Sequence, residues 1–561
     1  MRRRDTYFVR TAACLAALAL AVSGCAGTEG AESSAAAEEV MESQDVGEAA
    51  ESQEAEGAAE SSDAEETAES RDAEGAVSSP SEENGAEGGT QAQPAQGGYL
   101  HPVRSVNHMS SYAQDNRTLL CEGSSPVLSV RDAGYEALNE ALALYSSQRE
   151  AAVTEELSWM EEIAQEHLNT SPEGFYGYST EVTAELLRAD AAVFSFRELL
   201  AGYTGGAHGS AGVKGHTYDS QTGKQLALGD VAADLDALYE YLVQEIRAAE
   251  YAEGLFEDWE ETVHWEVYGE TVNGFPYSLA WALGADGMEV YFSPYEIGPW
   301  AMGTVTVTVP YGEAGVGEEW RPLTGERNVW PLAAYQDLSM DVDGDGTEET
   351  VGFSTGEMRD VEQMYTLSVG EKSVEFNGTY GVTAAYVMEN PDGRKYFYAD
   401  CRTDNDYHYL VIADLAELME KGTETEIVTY ADGMYDDVPM DARSFWLSDR
   451  GMLFSTVPVR RLYSAGPDGL PQTEQAEFVV DRFPVTAVQD VPAYTGEDFQ
   501  EMTTVPAGTK LFVTATDEES RVTAETEDGV RYQFEVNGES WPHTIEGKNI
   551  EELFEGLVFA G

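Results

Sequence analysis

The sequence predicts an α+β protein: an N-terminal α+β domain on a mostly antiparallel sheet, then a β-rich, repeat-like domain, then a small β domain. Three observations predict it. Between Tyr99 and Tyr311 helical and strand periodicities are mixed without regular alternation. From Trp330 to Arg482 the pattern turns to strands and turns. From Phe483 to the end only short strands recur.

The first segment, residues 1–25, is an address. Arg2, Arg3, Arg4 and Arg10 form a basic start, and an apolar run from Thr11 ends in Val22, Ser23, Gly24 and Cys25. Charged, then apolar, then small is the order of a secretory signal, and the run is short for a membrane span. With a cysteine directly after the small residues, it resembles a bacterial lipoprotein signal. That resemblance implies cleavage before Cys25 and a lipid on its thiol. It also implies a place on the outer face of the bacterial cytoplasmic membrane.

Residues 26–98 are Glu, Ala, Ser and Gly with almost no large apolar side chain. They hold 20 acidic residues and one Arg, while residues 1–25 carry a net +3. Of the −73 for the whole chain, −57 therefore falls on residues 99–561. A segment so acidic buries too little surface to offset its ordering entropy, so a disordered, extended tether is expected. The charge also excludes nucleic acid as a partner, because no basic stripe is present to meet phosphates. Cys14 leaves with the signal and Cys25 is lipidated, so Cys121 and Cys401 are expected as free, buried thiols.

Residues 99–315 form the α+β module. Leu138, Leu142, Tyr145, Val153, Leu157, Met160 and Ala164 recur at three- and four-residue steps, with a gap at Arg149, as one face of a long helix or a helix pair. Asp234 is placed to cap a helix whose face is Leu235, Leu238, Leu242 and Ile246. Thr304 to Val309 alternate strictly, so Val305, Val307 and Val309 should point into a core.

The order of motifs here also carries a resemblance. Leu187 to Asp190 leads to Phe194, Ser195 and Phe196; then come Tyr203 to Gly209, Tyr218 to Lys224 and Leu226 to Asp230. Val290 to Phe292 and Tyr295 to Gly303 follow. This order resembles the paired domains of unknown function numbered 4163 and 3298, found in the extracellular lysozyme-binding part of the anti-sigma-V factor family and beside some peptidoglycan deacetylases. The resemblance implies an α+β binding fold at the cell surface. It does not extend to a sigma-binding segment, a spanning helix or a deacetylase domain, which this sequence lacks.

His208, His216 and Asp219 stand close in sequence, so a metal or acid/base site is chemically conceivable. The surrounding glycines favour instead a tight turn in which His208 packs. Tyr295, Pro299 and Trp300 read either as a core-lining strand edge or as an exposed aromatic contact loop. The sequence contains no Gly-x-Ser-x-Gly elbow, no His-Glu-x-x-His and no P-loop.

Residues 330–482 open with an acidic loop. Asp341, Asp343 and Asp345 alternate with small residues, and Gly346 permits the sharp turn that closes an oxygen cage. The Thr347 carbonyl and the Glu349 carboxylate would complete the shell of a structural calcium ion. The twelfth position is Gly352, where a helix-loop-helix site needs Glu, so a strand is expected to follow. Turns at Asp392–Gly393 and Asp449–Gly451, with aromatic strands around them, suggest blade-like units.

Residues 483–561 carry strands at Lys510–Thr514, Arg521–Glu525 and Arg531–Val536, the last two joined at Asp528–Gly529. Short strands in this number resemble an SH3-like β-barrel. The expected function is a non-catalytic, lipid-anchored protein binding an envelope-directed partner, either a lysozyme-like protein or a cell-wall polymer. The alternatives are a glycan- or peptidoglycan-modifying enzyme and a calcium-dependent surface adhesion or scaffold protein.

Overall fold

The computed structural model describes residues 98–561 except 115–116, 174, 324–325, 405–406, 497 and 560–561. The segment expected as a signal, Cys25 and the acidic stretch up to residue 97 lie outside the described residues. Those described fall within one compact unit, and none of their helices is long and apolar enough to cross a membrane.

The first layer is a five-stranded sheet in chain order: β1 (Pro102–Tyr112), β2 (Leu119–Val130), β3 (Tyr178–Ala189), β4 (Val193–Tyr203) and β5 (Ser210–Asp219). Its pairs are antiparallel except β2 with β3. A parallel pair needs a crossover, and α1 (Glu136–Thr170) supplies it as one continuous helix of 35 residues. All seven apolar positions picked out by periodicity are buried on it. Gly123 on β2 permits the close approach, since a Cβ there would stand 2.8 Å from Val153 Cγ1.

The second layer holds α2 (Leu235–Ala248), α3 (Trp259–Tyr268) and a small sheet in the order β8 (Val305–Pro310), β7 (Gly287–Phe292), β6 (Ala280–Leu283). Asp234 caps α2, its Oδ1 accepting from Ala237 N–H at 3.0 Å. Val305, Val307 and Val309 are buried with Leu238, Leu242 and Ile246 in one core. This sheet lies against β5 so closely that a Cβ on Gly215 would overlap the Trp281 carbonyl.

The β-rich part holds two sheets. One is ordered β9 (Val329–Pro331), β14 (Gly381–Glu389), β15 (Lys395–Arg402), β16 (His408–Asp414), β17 (Ile427–Tyr430). The other runs β10 (Leu338–Met340), β11 (Glu349–Arg359), β12 (Glu362–Val369), β13 (Lys372–Asn377). Strand β15 is buried on both faces from Tyr396 to Cys401, and its sequence there is aromatic or small but for Asp400, with no alternation. Phe397, Ala399 and Cys401 face the core between the two sheets. Tyr396 and Tyr398 face the other way, into a core shared with Leu138, Leu142 and Phe196 of the first layer. That shared core spans the 315–330 stretch of sequence, so the α+β module and the β-rich part pack as neighbours. Cys121 and Cys401 are both buried and free.

The C-terminal strands correct two expectations. β18 (Phe445–Gly451), β19 (Val457–Ala465), β20 (Phe478–Ala487), β21 (Val491–Thr495), β22 (Glu501–Val505), β23 (Lys510–Thr516), β24 (Arg521–Glu525) and β25 (Arg531–Glu535) join in one sheet. Its order is β18-β19-β20-β23-β24-β25-β21-β22, and it is open: no closed barrel forms among the described residues. The reason lies in β20. Its first half pairs with Val459 and Arg460, and after a register break between Val479 and Phe483 its second half pairs with β23. On its other edge that second half takes the two-residue strand Phe554–Glu555, and through its first half the strands after Phe483 continue the sheet of β18 and β19. The turn expected at Asp449–Gly451 also falls later, because those residues pair with Val459, Pro458 and Val457 as the end of β18.

Candidate functional site

Two loops hold the candidate binding and metal-ligating residues, Tyr295, Pro299 and Trp300 in one and Asp341 to Glu349 in the other. The first is aromatic. Gly205 and Gly206 adopt φ of 88° and 103° in the β4–β5 turn, a conformation that glycine takes without strain. This turn carries His208 outward. The facing loop, from Ser293 to Gly303, is closed by its own hydrogen bonds: Tyr295 N–H to the Gly298 carbonyl at 3.0 Å and Ser293 N–H to Glu296 Oε2 at 2.7 Å. The Ser293 hydroxyl fixes it to β5 by accepting from Val213 N–H at 3.2 Å.

Here the His208 imidazole stacks on the Trp300 indole, centroids 4.6 Å apart and 16° between planes. Tyr295 stands over both rings, 6.1 Å from Trp300 and 6.4 Å from His208. His208 Nδ1 lies 2.8 Å from the Gly209 carbonyl, which can only accept, so the proton sits on Nδ1. Nε2 is then free to accept from the Tyr295 hydroxyl at 3.4 Å. Tyr295 holds φ at 72° while 47 % exposed. A bulky residue in that region is an outlier that surrounding structure must impose. Pro299 is exposed and Trp300 half-buried. Of the two readings open for Tyr295, Pro299 and Trp300, the structure takes the exposed aromatic loop.

His216 and Asp219 do not join this loop. The Asp219 carboxylate accepts from Thr222 in the turn after β5. His216 stacks on Phe196 at 4.9 Å and lies 3.3 Å from Glu198. Sequence reasoning missed Glu198, a fully buried carboxylate on β4. It accepts from the Tyr145 hydroxyl at 2.8 Å and faces Arg149 and Lys214 at 3.4 Å each. Burial would raise this carboxyl, yet His216, Lys214 and Arg149 outweigh it and hold it well below the usual carboxylate range. The only signal was an acid among the apolar residues of β4.

The second loop joins β10 to β11. Asp341, Asp343 and Asp345 bring carboxylate oxygens within 4.8 Å of one another, the one such grouping of metal-ligating side chains among the described residues. Asp341 accepts from the N–H groups of Gly344, Asp345 and Gly346 at 2.7, 3.1 and 2.9 Å. Gly344 and Gly346 take φ of 79° and 85°. Thr347 N–H donates to Asp345 at 2.7 Å, and Glu349, first residue of β11, accepts from Val342 N–H at 3.0 Å. An all-oxygen donor set of this kind suits a hard divalent cation.

Residues 228–312, which include α2, α3 and the three-stranded sheet, match the family described as "Protein of unknown function (DUF3298)". Two solved structures of that family resemble parts of the chain. A member from Bacteroides fragilis NCTC 9343 is 19% identical, covering 38% of this chain and 92% of its own, with a TM-score of 0.29. A member from Pseudomonas aeruginosa PAO1 is 17% identical, covering 38% and 91%, with a TM-score of 0.27. No curated protein matches the sequence.

Proposed function

We propose that this chain is a bacterial surface lipoprotein, lipidated at Cys25, that binds an envelope-directed partner through the Tyr295, Pro299 and Trp300 loop with His208. The observation that carries the reading is the exposed stack of His208 on Trp300 beneath a Tyr295 held at positive φ. Amphipathic rings with few rotatable bonds give contact area at low entropic cost, as recognition surfaces need. The partner is a cationic lysozyme-like protein or a cell-wall polymer. The excess of acid over base on residues 99–561 would steer the former inward.

The same proposal reads the segment ahead of residue 228 as the companion domain numbered 4163, on the motif order from Leu187 to Asp230. It also places a structural calcium ion at Asp341, Asp343, Asp345, Thr347 and Glu349, supported by the convergence of three carboxylates on one point. The test is titration of the soluble chain from residue 91 onward against lysozyme and against soluble wall glycan. Trp300→Ala with Tyr295→Ala should weaken binding at least tenfold with an unchanged thermal melt. Unaltered binding by that variant refutes the site, and no binding by the parent chain refutes the reading.

A further inference from the structure

We propose that His101, Asp132 and Ser444 form a nucleophilic site at which the Ser444 hydroxyl accepts an acyl group from a carboxylic ester, an activity separate from the binding proposed above. The three side chains come from separate places: His101 just before β1, Asp132 just after β2, and Ser444 in the turn that leads into β18. His101 and Ser444 are 343 residues apart in sequence, yet Nε2 of one lies 3.2 Å from Oγ of the other. On the far side of the ring, Nδ1 lies 3.0 Å from Asp132 Oδ1. Asp132 Oδ2 accepts from the backbone N–H of His101 at 2.7 Å, so one carboxylate grips the residue twice.

The consequence is a chosen tautomer. A carboxylate draws the proton to Nδ1, which leaves the Nε2 lone pair directed at the Ser444 hydroxyl. Nucleophile, base and orienting acid are recognised by this geometry and not by order along the chain. Trp446 packs edge-on against the imidazole with centroids 6.0 Å apart, which limits ring rotation. The Ser444 backbone is held as well, its N–H donating to the Asp441 carbonyl at 2.9 Å.

In the first step Ser444 Oγ bonds to the ester carbonyl carbon, its proton passes to His101 Nε2, and the carbonyl electron pair moves onto oxygen. That pair returns as the C–O bond to the leaving alcohol breaks, and the alcohol departs with the proton from Nε2. Water then repeats the sequence and releases the carboxylic acid. The N–H groups of Arg443 and Ser444 are already taken by Asp441, so these two give little stabilisation to the oxyanion. Esters, which need less of it than amides, are therefore the substrate class. His101 and Asp132 side chains are 20 % and 17 % exposed, and Ser444 lies in a surface turn. Such an open site suits an acyl group displayed on a larger molecule, such as an O-acylated polymer.

The test incubates the folded full chain with a fluorophosphonate probe and, separately, with p-nitrophenyl acetate. The expected results are one covalent adduct, mapped to the Ser444 peptide, and a burst of one p-nitrophenolate per chain. Ser444→Ala should abolish both. Asp132 is a positioning residue, so Asp132→Asn should slow acylation by about 10²–10⁴-fold in single-turnover kinetics, with the dissociation constant of the ester and the thermal melt unchanged. Absence of an adduct at Ser444 in the folded parent chain overturns the proposal without recourse to any variant. Labelling that proceeds equally fast in Asp132→Asn overturns it too.

Discussion

Replacing Glu198 by Ala should destabilise the protein at neutral pH and much less in acid. The carboxylate is fully buried, while its partners Arg149, Lys214 and His216 are 18 %, 31 % and 13 % exposed. Removing one member of a buried ion pair costs about 3–5 kcal/mol, because the other charge stays behind uncompensated. Arg149 and Lys214 can turn partly to water here, so the lower end, about 3 kcal/mol, is expected. Part of that loss is charge and part is cavity, and pH separates them.

The folded-state value of Glu198 lies below its unfolded value. Its charge contribution is therefore complete above the unfolded value of about 4.3 and is lost as pH falls toward the folded one. The parent chain should lose more stability over that acid range than the variant, which keeps its other low-titrating carboxylates such as Asp517, so the difference between the two narrows. Urea unfolding followed by tryptophan fluorescence, at pH 7 and near pH 3, measures the difference. An equal difference at both values would refute the electrostatic argument and leave a packing defect as the cause.

Cys25→Ser should release the protein from the membrane fraction into the medium, as fractionation and immunoblotting would show; a variant that stays membrane-bound would contradict lipidation. Calcium binding only the folded form stabilises it by about 2.7 kcal/mol at a hundredfold excess over Kd. Chelator should thus lower the calorimetric melt, and Asp343→Asn with Asp345→Asn should make the protein indifferent to calcium; identical melts with ion and chelator would mean an acidic turn alone. Because one core joins Leu138 and Phe196 to Tyr396 and Tyr398, that shift should move the first layer and the β-rich part together. If lysozyme binds through long-range attraction, its affinity should drop sharply between low and physiological salt, since screening shortens to about 8 Å; a salt-independent Kd would point to the rings of Trp300 and Tyr295 instead.

Local patterns determined what local physics can encode. The buried face of α1, the cap at Asp234 and the alternation of Val305, Val307 and Val309 were legible because helix and strand repeat at 3.6 and 2 residues. The carboxylates at Asp341, Asp343 and Asp345 were legible because they lie within one turn. Whatever joins distant segments was not. Phe397 and Tyr398 are neighbours in sequence that serve two different cores, and only the layers on either side decide which. The short strands after Phe483 are locally encoded, but their union with β18 and β19 in one open sheet runs through β20, whose first half pairs with β19. His208 meets Tyr295 across 87 residues and His101 meets Ser444 across 343. No local periodicity records such meetings, because a hydrogen bond or a ring stack depends on where the chain returns in space, and that is set by how the sheets pack.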